Sequence, residues 1–131
     1  MENQYLVLAE NITYKKNKLS CINIIDQFLV INLPAEFQFD LVAICGPGWE
    51  EGEYTVTIKV QLDEGEINEL GQTLVKIPGE GFTYNALAPD LKVMLPENSK
   101  DIKFFVYKND ELIIERTYQV APLFVPQEIT A

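Results

Sequence analysis

Residues 54–63 of this sequence alternate strictly between apolar and polar side chains, and this pattern constrains the fold more than any other feature. The apolar members are Tyr54, Val56, Ile58, Val60 and Leu62. Successive side chains of a β-strand point to opposite faces of a sheet, so the segment is predicted to be a strand with one buried face. A helix would need apolar residues three and four positions apart, and Thr55 and Lys59 interrupt that spacing.

Short strand-like runs fill most of the remaining sequence. The predicted strands cover residues 6–14, 19–25, 28–33, 37–45, 70–77, 91–95, 102–107 and 112–120. Residues 85–89 are predicted to be a loop, and residues 63–70 leave room for a single helical turn. Because no stretch of twelve residues carries a convincing helical stripe, we expect an all-β protein.

Turn residues between these runs indicate how the strands connect. The lysines at positions 15, 16 and 18 mark the tip of one predicted hairpin, and Asn109-Asp110 marks the tip of another. This regular alternation of short strands and turns predicts a two-sheet antiparallel β-sandwich of about eight strands, with an immunoglobulin-like or related topology. A single domain over residues 1–131 is expected, ending in an extended apolar tail at 120–131.

The charge of the chain is strongly acidic, with 10 basic and 20 acidic residues and a net charge of −10. Nucleic-acid affinity depends on cations that displace the counterions of phosphates, so nucleic acid is a poor partner for this surface. Anionic lipid heads are repelled for the same reason. Three lysines on a hairpin tip are interpreted as a solvated turn.

Cysteine usage and the absence of targeting signals favour a cytoplasmic location. The first residues are acidic and polar rather than basic and apolar, and the apolar stretches are much shorter than a membrane span. Cys21 and Cys45 both lie in apolar runs and are interpreted as reduced core residues. A disulfide between neighbouring strands is the alternative, and it would require an oxidising compartment.

Histidine is absent from the chain, which removes the usual general base near neutral pH and the commonest zinc ligand. A Ser-His-Asp or Cys-His site is therefore impossible within this sequence, and two cysteines cannot form a four-thiolate metal site. The sequence contains neither a phosphate-binding glycine loop nor a dinucleotide fingerprint. A paired-carboxylate glycosidase would need a deep cleft, for which a small sandwich has little material. We therefore predict that the protein is not an enzyme and has no cofactor.

The residues Asp63, Glu64 and Glu66 belong to the densest acidic region of the sequence. Calcium takes oxygen ligands, so these carboxylates are weak candidates for a calcium site. Their spacing is not that of a helix-loop-helix calcium site. A solvated acidic turn is the preferred interpretation, and no metal is expected.

Two further features suggest surfaces for interaction. Trp49, the only tryptophan, follows Gly46-Pro47-Gly48 in a predicted loop, where it either caps the core or anchors a partner. The apolar residues Leu123, Phe124 and Val125 lie between two prolines and either form an edge strand or dock on another subunit.

Several short motifs resemble an uncharacterised bacterial β-sandwich family, a domain of unknown function. They are Leu-Ala-Glu-Asn-Ile at 8–12, Lys-Leu-Ser-Cys-Ile-Asn-Ile-Ile-Asp at 18–26, Leu-Pro-Ala at 33–35, and Gly-Glu-Tyr at 52–54 before the alternating strand. The resemblance would cover about residues 5–120 and implies a bacterial cytoplasmic sandwich. It implies no catalytic residues.

Three functions follow from these observations as hypotheses. The first is a non-catalytic protein-interaction or structural module, which acts through a sheet edge, a loop end or the apolar tail. Its partner is either another protein or a second copy of the chain, which would form a homo-oligomer through a sheet edge or the tail. The second is a small-ligand binder for calcium or sugar near Trp49 and the acidic turn. The third is an acidic mimic of nucleic acid that inhibits a basic partner, although the carboxylates are concentrated in loops rather than on one face.

Overall fold

The computed structural model describes residues 4–16 and 18–123, and these residues contain strands and turns but no helix. The nine strands of this part are β1 (Tyr5–Lys15), β2 (Lys18–Ile25), β3 (Phe28–Val30), β4 (Ala35–Cys45), β5 (Gly52–Leu62), β6 (Ile67–Ile77), β7 (Tyr84–Leu95), β8 (Asp101–Lys108) and β9 (Glu111–Pro122). Accordingly, none of the described residues belongs to a helix that is long and apolar enough to cross a membrane.

The strands form two packed sheets. One sheet has the order β2-β1-β4-β7, and the other has the order β3-β9-β8-β5-β6 and curls into a half-barrel. Neighbouring strands are antiparallel except for β3 and β9, which are parallel. The predicted all-β fold of two packed sheets is confirmed, whereas this strand order does not establish an immunoglobulin-like topology.

The predicted alternation of β5 is confirmed. Val56, Ile58 and Val60 are buried in the core between the sheets. Thr57, on the opposite face, is also buried, beside its cross-strand partner Tyr107. The outer face of the five-stranded sheet is therefore less open to water than the alternation alone suggests.

Aromatic rings occupy the centre of the core. Phe28 packs edge-to-face against Phe37, Phe39 and Tyr118, with ring centroids 5.1, 5.7 and 6.0 Å away. Phe104 packs in the same manner against Phe39 and Tyr118. Such pairs add about 0.5–1.5 kcal/mol each to the burial of their apolar surface. The three-residue strand β3 thus places a ring that contacts both sheets.

A second, smaller apolar cluster lies on the outer face of the four-stranded sheet. It consists of Ala9, Ile12 and Val42, all buried, with Leu19 and Cys21 packed against them. The predicted β1–β2 hairpin is confirmed, and Lys15 pairs with Lys18 at its tip. Its pairing is interrupted next to Asn23, which has a positive φ of 57°. The pairing of β1 with β4 ends at Ala9, but Ile12 belongs to the same buried cluster as Val42, so the outer part of the hairpin still contributes to this cluster.

The buried carboxylate of Asp40 connects the strands of the four-stranded sheet. Its side chain is only 6% exposed, and its two carboxylate oxygens accept hydrogen bonds from the backbone N–H groups of Ile12 and Asp90 at 2.8 and 2.9 Å. Asp40 lies in β4, while its two donors belong to the neighbouring strands β1 and β7. One carboxylate therefore accepts a backbone N–H from each of the two strands beside β4.

The predicted loop at residues 85–89 is wrong, because β7 runs without interruption from Tyr84 to Leu95. Proline cannot donate to a sheet ladder, but β7 is an edge strand and Pro89 needs no donor on its open side. Asp90 follows with a φ of 54°, and the register with β4 shifts at this point. Proline was therefore a signal for a bulged edge strand rather than for a loop.

Two other segments differ from the prediction by more than two residues. The strand expected at 28–33 ends at Val30. No helical turn forms at 63–70, because the N–H of Gly65 donates to the carbonyl of Leu62 in a tight turn and β6 begins at Ile67.

Candidate functional site

The acidic residues of the turn after β5 lie at the opposite end of that strand from the loop that carries Trp49. Asp63 Oδ1 accepts hydrogen bonds from the backbone N–H groups of Lys100 and Asp101 at 2.7 and 3.2 Å. The Asp63 N–H in turn donates to the carbonyl of Asp101 at 3.0 Å. This carboxylate therefore connects two loops.

Glu64 and Glu66, the other calcium candidates, are exposed. Across residues 4–16 and 18–123, no group of three or more acidic or cysteine side chains is arranged to hold a metal ion. The calcium hypothesis gains no support from this arrangement.

The apolar tail is only partly described. β9 continues to Pro122 beside β3, and the N–H of Leu123 donates to the carbonyl of Val30 at 2.8 Å. The side chain of Leu123 is 49% exposed. Phe124 and Val125 lie outside the described residues.

Trp49 lies in the loop between β4 and β5, and close backbone packing fixes this loop. Gly46 has a φ of 83°, and a β-carbon there would lie 2.7 Å from the carbonyl oxygen of Phe82, so only glycine fits. The N–H of Gly48 donates to the carbonyl of Glu80 at 2.7 Å. The loop is thereby attached to the connection between β6 and β7.

The indole of Trp49 is only 3% exposed, as expected for a residue that caps the core. It packs edge-to-face on Tyr54, with ring centroids 5.1 Å apart. The ammonium of Lys108 lies above both rings, 4.5 Å from the Trp49 centroid and 4.8 Å from that of Tyr54. The indole Nε1 is buried and has no hydrogen-bond partner in the described part of the chain.

A cavity of about 290 Å³ adjoins this aromatic pair, and we call it the tryptophan pocket. Its lining combines loop residues with the hairpin that joins β8 and β9. The lining residues are Gln4, Pro47, Gly48, Trp49, Lys108, Glu111, Leu112 and Ile113. The pocket therefore offers an ammonium, a carboxylate and an amide beside apolar surface.

The thiol nearest to this pocket is not a nucleophile. Burial raises the pKa of Cys45 to about 11, although the positive charge of Lys108 acts in the opposite direction. The thiolate is the reactive form, so Cys45 is inert at neutral pH. Both thiols are free, and Cys45 lies in the core as predicted, whereas Cys21 is only partly buried.

A second concave surface lies between β6 and β7, the edge strands on one side of the two sheets, and we call it the edge groove. Its volume is about 250 Å³. The core residues Val56 and Ile58 form its floor. Its walls are residues 70–73 of β6 and residues 86–89 and 91 of β7.

Small residues explain why this groove exists. Gly71 and Thr73 pair with Ile58 and Val56 and so occupy inward-facing positions of β6. Ala86 and Ala88 take the corresponding positions in β7. A sandwich core normally fills such positions with large apolar side chains, and here the missing volume leaves the seam between the sheets open.

No protein-family model matches this sequence, and neither does any curated protein. The two surfaces are therefore interpreted from their chemistry alone. The sequence indicated Trp49 but not its partner Lys108, which is 59 positions further along. The edge groove was missed because residues 85–89 were interpreted as a loop, although the two small residues Ala86 and Ala88 at alternate positions were a usable signal.

Proposed function

We propose that this protein is a non-catalytic interaction module that binds an extended segment of a partner protein along the free edge of β6. The observation that carries the proposal is the apolar groove beside that edge. Extended segments commonly add a strand to an exposed sheet edge, where backbone hydrogen bonds provide affinity and pockets for alternate side chains provide specificity.

The first support is the length of the open edge. β6 has eleven residues and pairs only with β5, so one side of its backbone has no strand partner in the described part of the chain. It contains no proline, and Leu74, on its outer side, is 59% exposed. Soluble proteins usually protect such edges with proline, bulges or charge. Of these devices, β6 has a bulge at Leu70 and the charges of Glu69 and Lys76, but no proline.

The second support is that the backbone of the facing strand β7 lacks free donors in the middle of the groove. Pro89 has no N–H group, and the N–H of Asp90 is already bonded to Asp40. β7 is thus a poor template in the middle of the groove, which leaves β6 as the strand for pairing and β7 as the opposite wall.

The third support is the apolar character of the floor. A segment paired with β6 would direct alternate side chains over Val56 and Ile58. Burial of one aliphatic side chain there is worth about 1.5–3 kcal/mol, which corresponds to roughly ten-fold or more in affinity.

The proposal is tested with random peptides displayed on phage and selected against the full chain. We expect the enriched peptides to alternate apolar residues and to slow amide hydrogen exchange in β6. Gly71→Val places a branched side chain in the groove and should weaken these peptides about ten-fold. Gly81→Val is the matched control, because a β-carbon at Gly81 also has open space around it and Gly81 does not line the groove.

Peptides that bind wild type and Gly71→Val equally would refute the proposal, as would protection of a different strand. Light scattering identifies one special case. If wild type is a dimer and Gly71→Val a monomer, the segment that occupies the edge belongs to a second copy of this chain.

Three further expectations from the sequence are also part of this proposal. They are a bacterial family of unknown function, an immunoglobulin-like relationship and a cytoplasmic location. The free thiols of Cys21 and Cys45 support the last of these.

A further inference from the structure

We propose that the segment bound at the free edge of β6 is the β6 strand of a second copy of this chain, so that the protein forms a two-fold symmetric dimer. This inference rests on the proposed binding of an extended segment at that edge, and it names the segment. A two-fold interface needs a surface that is complementary to itself. Two antiparallel β6 strands have this complementarity when Thr73 lies opposite Thr73 of the second copy, an alignment that we call the Thr73 register.

The faces of β6 limit how two copies align. Residues that lie directly opposite one another in an antiparallel pair project to the same face of the sheet. Gly71, Thr73 and Val75 pair with inward-facing residues of β5, whereas Gln72 and Leu74 project outward. Over this stretch, two copies match their faces only when the two-fold axis passes through a residue position and not between two positions.

The charges of β6 select the Thr73 register among the alignments that match the faces. The bulge at Leu70 adds one residue to β6, so the outward position that follows Gln72 toward the start of the strand is Glu69. In the Thr73 register, Glu69 lies opposite Lys76 of the second copy. The two-fold axis repeats this pair, and opposite charges at directly opposite positions stabilise paired strands.

Both charged side chains are available for these pairs. Glu69 is exposed and has no ion-pair partner among residues 4–16 and 18–123. The Lys76 ammonium lies 3.5 Å from the Glu53 carboxylate, but these side chains are 78% and 56% exposed. Exposed pairs of this kind contribute little to stability, so Lys76 is free to face Glu69 of the second copy. The charges that protect the edge against other strands are therefore matched by a second β6.

The Thr73 register also covers apolar surface. Leu74 is 59% exposed, and in this register it lies opposite Gln72 and diagonal to Leu74 of the second copy, within reach of a long side chain. On the inner face, Gly71 lies opposite Val75 of the second copy. A β-carbon at Gly71 would meet no atom within 4 Å, so this alignment brings an apolar side chain beside open space.

Light scattering at several protein concentrations tests the dimer. Because each copy carries a net charge of −10, the measurements are made at about 0.15 M salt, where the Debye length is about 8 Å. We expect the wild type to be a dimer that dissociates on dilution. Glu69→Lys and Lys76→Glu should each weaken it at least about ten-fold, because each variant places like charges opposite one another at two positions. The double variant Glu69→Lys with Lys76→Glu should restore the dimer.

The two single variants change the net charge in opposite directions, so weakening by both excludes an effect of overall repulsion. Glu36→Lys is the matched control for Glu69→Lys. Glu36 is also exposed, but it lies on the central strand β4 of the other sheet, and its replacement should leave the dimer unchanged.

Cysteine cross-linking tests the register. Directly opposite Cα atoms of antiparallel strands are about 4.5–5.5 Å apart, within the range of a disulfide, whereas diagonal neighbours are about 7–8 Å apart. Thr73→Cys should therefore cross-link two copies under mild oxidation. Leu74→Cys, at the next and equally exposed position, is the matched control and should not cross-link.

A wild type that stays monomeric at about 1 mM overturns the inference, whereas selected peptides that protect β6 would still uphold the proposed function. A dimer that neither Glu69→Lys nor Lys76→Glu weakens is held by another surface, which also overturns it. Failure of the double variant to restore the dimer, or cross-linking of Leu74→Cys as readily as Thr73→Cys, refutes the Thr73 register and with it the inference.

Discussion

Replacement of Asp40 by alanine should destabilise the fold by several kcal/mol, although Asp40 lies outside the main core. The carboxylate accepts one backbone N–H from each of two neighbouring strands. A hydrogen bond to a charged group is worth about 1.5–3 kcal/mol, and an orphaned buried donor costs about 1–3 kcal/mol. Two such bonds therefore suggest a loss of about 3–5 kcal/mol, since removal of a buried charge offsets part of the cost.

Asp40→Asn should lose less, about 1.5–3 kcal/mol, because its amide retains one carbonyl acceptor and can serve only one of the two N–H groups. Asp26→Ala is the control. Asp26 is exposed, and surface substitutions usually change the free energy of unfolding by less than about 0.5 kcal/mol.

Urea unfolding followed by Trp49 fluorescence measures these differences. Amide exchange adds a local test, because the N–H groups of Ile12 and Asp90 should exchange slowly in wild type and fast in Asp40→Ala. A loss below about 1 kcal/mol in Asp40→Ala, with both amides still protected, would refute the role assigned to Asp40.

Three further outcomes are expected. Gly71→Val should raise the Tm by about 4–7 °C, because loss of backbone freedom in the unfolded chain and burial of methyl groups together add about 1–2 kcal/mol to the free energy of unfolding. A lower Tm would mean that the edge groove is already filled. The free energy of unfolding should fall as pH rises from 9 toward 11, because the folded state keeps the Cys45 proton that the unfolded state loses. In thermal melts, Cys45→Ala should show a smaller change of stability with pH than wild type, and an equal change would contradict the burial of this thiol. Phe28→Ala should cost about 3–5 kcal/mol in urea unfolding, and a loss below about 1 kcal/mol would contradict its central position.

The sequence predicted those elements whose pattern is local. The alternation in β5 identified both the strand and its buried face, because the period of side chains on a strand is two. The hairpin tip at Asn109-Asp110 was also predictable, since Asn tolerates the positive φ that Asn109 adopts. The tip at 15–18 was predictable from its three lysines. Both kinds of signal need only a few consecutive residues.

Features formed by residues that are distant in the sequence and come into contact only in the folded protein were not predictable in this way. Lys108 and Trp49 come together only because β8 and the loop before β5 end at the same side of the sandwich. Asp40 was overlooked for a related reason. A single acid between Phe39 and Leu41 in an apolar strand was a visible signal, but its donors belong to two other strands.

The missed edge groove has a physical origin that connects these findings. Proline is compatible with a strand when that strand lies at an edge, and a glycine inside a strand is tolerated when no neighbour requires its side chain. Pro89 and Gly71 therefore mark two edge strands, β7 and β6, that do not pair with each other. Asp40 maintains the bulge that follows Pro89, so the carboxylate that stabilises the four-stranded sheet also keeps β7 from pairing at the centre of the groove. Stability of the four-stranded sheet and protection of the β7 edge thus depend on the same hydrogen bond, so Asp40→Ala should free the N–H of Asp90 as well as lower the free energy of unfolding.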